Sequence, residues 1–65
     1  MTKTEAIVLM IQGKKVRHRF FSPKEWIKLI GAWIIQTEEG YKVDWNTFWG
    51  DRQGAIWEVD WEEVE

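Results

Sequence analysis

Four of the nine Lys/Arg residues and the only histidine stand together in Gly13–Phe21, GKKVRHRFF. An arginine presents a planar fork of donors that matches phosphate oxygens, so Arg17 and Arg19, with Arg52 further along, are candidates to grip a phosphate. Trp33, Trp45 and Trp49 would supply stacking faces for a base. His18 is either a ligand donor at the mouth of a pocket or a core histidine with a satisfied hydrogen bond. These seven residues form the candidate ligand-binding set. Catalysis has less to draw on. With one histidine, one serine and no cysteine, the chain cannot supply an obvious nucleophile and base pair. No glycine-rich phosphate loop is present. The carboxylates Glu58, Asp60 and Glu62 alternate at period two, which is the pattern of a solvated strand face, whereas a hard cation needs oxygens converging on one point. The reading is therefore a non-enzyme, with no catalytic residues, no metal site and no cofactor.

Those side chains need elements to hold them. TKTEAIVLMIQG opens with Thr2 and Glu5 at capping-box spacing and closes on Gly13, and Ile7, Met10 and Ile11 repeat at helical spacing. This predicts a helix over residues 3–12, with a strand as the competing reading because the run is rich in β-branched residues. KKVRHRFF alternates, placing Val16, His18 and Phe20 on one strand face and Lys15, Arg17 and Arg19 on the other. Ser22, Pro23 and Glu25 suit a turn. Residues 26–30 and 33–37 read as strands joined by a Gly31-Ala32 hairpin turn, followed by a third strand in YKVD. A helix over residues 23–30 is the alternative. In DWNTFWG, Asp44 caps a short helix that Gly50 ends. IWEVDWEEVE alternates again, with Trp57, Val59 and Trp61 inward. The sum is a single α+β domain spanning residues 1–65: an N-terminal helix packed on a small antiparallel sheet, with a short helix before the last strand.

A chain of 65 residues buries only ~60% of the surface its unfolded form exposes, so it needs large side chains in its core. Six tryptophans serve that need: one well-buried indole brings roughly 4–6 kcal/mol of gross transfer energy. Six exceed what one small core requires, and the surplus would line a pocket or a subunit interface, which predicts a homo-oligomer. Charge is polarised. Residues 1–32 carry seven Lys/Arg against two acids, and residues 33–65 carry two against nine. Two such halves folded together cancel locally, which weighs against nucleic acid as a partner, since that reading needs an uncovered basic face. If the basic and acidic strands are neighbours, Arg17 and Arg19 pair with Glu58, Asp60 or Glu62. The absence of cysteine fits a reducing compartment. No stretch approaches the ~20 apolar residues of a membrane span, so the expectation is a cytoplasmic protein.

Gly13, Lys14, Lys15, Val16 and Arg17, together with Asp60, Trp61 and Glu62 near the end, carry a resemblance. In these eight of 65 positions the chain resembles small bacteriophage proteins related to the Thoeris anti-defence sponges. The resemblance implies a phage accessory protein in the host cytoplasm that sequesters a cyclic nucleotide or cyclic ADP-ribose-type signal within a homo-oligomer. The alternative is a protein-binding inhibitor of a host enzyme, of anti-restriction or anti-CRISPR type, acting through the acidic C-terminal strand.

Overall fold

A computed structural model describes all residues, Met1–Glu65. Helix α1 spans Lys3–Ile11. The Thr2 hydroxyl accepts from the Glu5 backbone N–H at 3.2 Å, and the Glu5 carboxylate accepts from the Thr2 N–H at 2.8 Å. Two of the helix's orphan donors are satisfied in this way. At the other end Gly13 takes φ +85°. Its N–H reaches the Met10 carbonyl, and the Lys14 N–H reaches that of Leu9. That double closure needs a left-handed residue, the role glycine fills without steric cost.

Five antiparallel strands follow: β1 Lys15–His18, β2 Ile27–Ile30, β3 Ile34–Thr37, β4 Lys42–Asp44 and β5 Trp61–Val64. Their spatial order is β4-β3-β2-β1-β5, so β1 to β4 form a meander and β5 returns to the free edge of β1. Helix α2 covers Trp45–Gly50, with Asp44 as its cap. A 3-10 turn, η1, covers Ala55–Trp57. The protein is thus α+β, with the N-terminal helix on the sheet and a short helix ahead of the last strand. No helix is long and apolar enough to cross a membrane.

One face of the sheet carries the core. Val16, Ile27, Ile35 and Trp61 are buried there against Ala6 and Met10 of α1 and Phe48 and Trp49 of α2. Both helices therefore lie on the same side. Tryptophans run through this layer in contact, Trp33 to Trp45 and Trp45 to Trp49 edge-on, Trp49 to Trp61 and Trp61 to Trp57 tilted, with ring centroids 5.2–6.3 Å apart. Edge-to-face geometry suits the aromatic quadrupole.

Four local expectations are corrected. The strand after Lys15 ends at His18, because the Phe21 N–H turns back to the His18 carbonyl at 2.9 Å. That turn swings Phe20 out to 61% exposure and brings Phe21 in at 8%. The β2–β3 connection is a three-residue loop closed by the Ile30–Ile34 pair, and Trp33 belongs to it, not to a strand. The final strand covers four residues of the ten whose alternation suggests it. β1 offers only four partners, Lys15 to His18 against Val64 to Trp61. Upstream of these, Trp57 and Glu58 N–H groups bond three residues back, and Val59 is 48% exposed. Tertiary pairing overrides the local pattern.

Candidate functional site

The candidate residues separate into four places. Arg17 and Arg19 project from the β1 edge beside β5. Arg17 pairs with Glu62, its cross-strand partner, and its other terminal nitrogen donates to the Phe21 and Ser22 carbonyls at 3.3 Å each. Those contacts hold its side chain at 22% exposure. Arg19 is different. It is 71% exposed and its nearest acid oxygen, on Asp60, lies 3.9 Å away. The two arginines line a shallow depression of about 420 Å³ with Asp60, Glu62, Trp61 and Met1. Asp60 there takes φ +69°, outside the range a non-glycine residue ordinarily adopts.

His18 is a core residue. It is fully buried, with its ring 4.4 Å from Trp57 and 4.9 Å from Trp61. Its Nε2 lies 2.9 Å from both the Ile56 and the Val59 carbonyl oxygens, and its Nδ1 lies 3.1 Å from the Phe20 N–H. Carbonyls only accept and an amide only donates, so Nε2 carries the proton and Nδ1 accepts. Neither nitrogen is left for a ligand. What the ring does is pin the loop between α2 and β5 to the turn after β1.

Arg52 sits elsewhere again. Its guanidinium stacks 4.1 Å from the Phe48 ring centroid and donates to the Phe48 carbonyl at 3.2 Å. It is spent on closing α2, not on a depression shared with Arg17 or Arg19. Trp49 is buried at 7% exposure, under Lys3, and offers no face to a ligand.

The remaining two, Trp33 and Trp45, come together. The Trp45 N–H donates to the Trp33 carbonyl at 2.9 Å, and the rings meet edge to face at 5.2 Å. With Asn46 they line a depression of about 330 Å³. Trp45 is half-buried against the core, whereas Trp33 is 57% exposed. Trp33 also holds φ +60°. For a bulky side chain this left-handed conformation costs on the order of 1–3 kcal/mol, and such outliers cluster at functional sites. Asn46 was not among the sequence candidates. Its position at the second residue of α2 carries no signal of its own until the β2–β3 loop is placed beside it.

Protein-family models, curated proteins and solved structures contain no match to this chain. The geometry alone therefore carries the functional argument. All four ion pairs join the basic first half to the acidic second half: Lys3–Glu58, Lys14–Glu63, Arg17–Glu62 and Arg19–Asp60. These pairs take up four of the seven cations of the first half and four of the nine acids of the second. Two carboxylates titrate below their ordinary range. Glu5 is lowered first by the Thr2 backbone hydrogen bond and then by the Thr2 hydroxyl. Asp44 is lowered first by the Thr47 hydroxyl and then by the Thr47 backbone. Both act at helix N-termini, Glu5 in the capping box of α1 and Asp44 as the cap of α2.

Proposed function

We propose that this protein is a non-enzymatic binder that sequesters a nucleotide-type ligand, stacking its base on Trp33. The carrying observation is an exposed indole in a strained backbone conformation, braced edge-on by Trp45 and flanked by the Asn46 amide. Stacking on an aromatic face contributes ~1–3 kcal/mol per base. An amide beside it offers both a donor and an acceptor to a base edge. Capture of an immune signal in the phage-infected cell, which the resemblance to the Thoeris sponges implies, is the biological setting of this proposal. Assembly into a homo-oligomer belongs to the same reading, and the exposed Val8 and Ile11 of α1 are the apolar surface it would bury.

The test is a thermal-shift screen against cyclic ADP-ribose isomers and cyclic dinucleotides, repeated with Trp33→Ala. A ligand that binds only the folded state stabilises it by ~2.7 kcal/mol at a hundredfold excess over Kd. The proposal expects a rise in Tm that Trp33→Ala removes. No rise with any probe at high excess refutes it. The rival reading, a host-enzyme inhibitor working through acidic charge, draws less support. Of the five acids in the last ten residues, Glu58, Asp60, Glu62 and Glu63 each face a cation of the same chain.

A further inference from the structure

The helix-free face of the sheet carries a second feature, independent of the Trp33 reading and beyond it. The register pairs Lys28 with Gln36 and Gln36 with Lys42. One step along from the Val16–Ile27 pair, Lys15 stands next to Lys28. Lys15, Lys28, Gln36 and Lys42 therefore form one row across β1, β2, β3 and β4. Strands lie about 4.8 Å apart, so the row runs for roughly 14 Å. None of its three ammonium groups is paired with a carboxylate; the ion pairs of the fold go to Lys3, Lys14, Arg17 and Arg19. Like charges side by side on neighbouring strands destabilise a sheet. Lys15 is held in place, its ammonium 4.4 Å over the Trp26 ring. The rows on either side are mixed: Trp26 beside the Arg17–Glu62 pair on one, and Ile30 with Ile34, ending at Asp44, on the other.

We propose that this row is a binding track for the backbone of single-stranded nucleic acid. Phosphates lie along the lysines, and bases turn aside onto Trp26 or onto Ile30 and Ile34. A cation line with Trp26 on one side and Ile30 and Ile34 on the other suits a strand whose bases are unpaired and free to splay. A duplex would present only phosphate to it. The charge polarity along the chain is a property of sequence order, not of the folded surface. The fold neutralises the β1–β5 edge and leaves the middle of the sheet positive.

The experiment is fluorescence anisotropy of a labelled oligothymidylate against the full chain, over a salt series. Three phosphate contacts give a slope of log K on log salt near −2, about 20-fold weaker binding at 200 mM than at 50 mM. Lys28→Ala combined with Lys42→Ala is expected to flatten the slope to near −0.7, leaving only about a threefold loss over the same range. Lys28→Glu is expected to abolish binding while raising Tm, because it replaces the Lys15–Lys28 repulsion with an attraction. That rise keeps the variant folded and separates loss of the track from loss of the fold. Lys24→Ala, which removes an exposed cation outside the row, should leave oligothymidylate binding unchanged; the Trp33 reading is tested on cyclic nucleotides, so the two can fail separately. No binding at low salt overturns the track, as does a slope that Lys28→Ala/Lys42→Ala leaves unaltered. Capture by phosphatidylserine vesicles without oligothymidylate binding also overturns it, assigning the row to a lipid surface.

Discussion

Replacing His18 with leucine tests how the irregular second half is held. Leucine conserves most of the ring's volume, so little of the effect comes from a cavity. What disappears is polar: the donor shared by the Ile56 and Val59 carbonyls, and the acceptor for the Phe20 N–H. At a net ~0.5–1.5 kcal/mol per hydrogen bond, the loss is about 2–4 kcal/mol. The lower half of that range applies if water reaches the two carbonyls, since Ile56 and Val59 are themselves about half exposed. A chain of 65 residues has a total stability of roughly 3–10 kcal/mol, so His18→Leu removes a large share of it. The assay is urea denaturation followed by tryptophan fluorescence. With a slope near ~1 kcal/mol per M, the midpoint moves down by about 2–4 M. His18→Gln restores an N–H donor for the carbonyls and should fall between wild type and His18→Leu. Wild-type stability in His18→Leu, or equal loss in both variants, would refute the claim that the imidazole hydrogen bonds hold the loop.

Arg17→Ala should cost about 1–2 kcal/mol, since it strips hydrogen bonds from Glu62 and from the Phe21 and Ser22 carbonyls, whereas Arg19→Ala should leave the urea midpoint within error. Trp33→Asn, which tolerates a positive φ, should fold with a Tm close to wild type while losing nucleotide binding; a large drop in Tm would make Trp33 a structural residue. Thr2→Ala should lower stability by ~1 kcal/mol through loss of the α1 cap, measured by the same urea titration. Glu5 and Asp44 are lowered in the folded state, so their contribution is fully present above the ordinary carboxylate range and is lost as pH falls through the lowered values. Tm should therefore hold from neutrality to about pH 5 and fall below pH 4, and Glu5→Gln with Asp44→Asn should blunt that fall.

The elements with strong local signals were legible in the sequence. The Thr2–Glu5 box and Gly13 mark α1, the Val16/His18 alternation marks β1, and Asp44 with Gly50 bounds α2. The expected pairing of the outward arginines with the C-terminal acids formed as Arg17–Glu62 and Arg19–Asp60, while Glu58 turned to Lys3. Other features depend on contacts distant in sequence. The segment before Trp61 alternates like a strand, yet His18 claims two of its carbonyls and β1 has no residue left to pair with it. Phe20 and Phe21 exchange roles because one turn begins at His18. The meeting of Trp33, Trp45 and Asn46, and the lysine row across four strands, exist only once register is set. Composition read the tryptophans as core with a surplus. The structure separates the two: Trp49 and Trp61 are buried, and Trp33 stands out.

The central claim is that Trp33 is a base-stacking face. Its most direct test is a two-dimensional 1H–15N spectrum that resolves the six indole N–H signals while cyclic ADP-ribose or a cyclic dinucleotide is added. Base stacking on Trp33 gives saturable shifts of the Trp33 and Trp45 indoles and of the Asn46 side-chain amide, with Trp57 and Trp61 unmoved. Saturable binding that leaves Trp33 and Asn46 unshifted, or a spectrum unchanged at millimolar ligand, would contradict it.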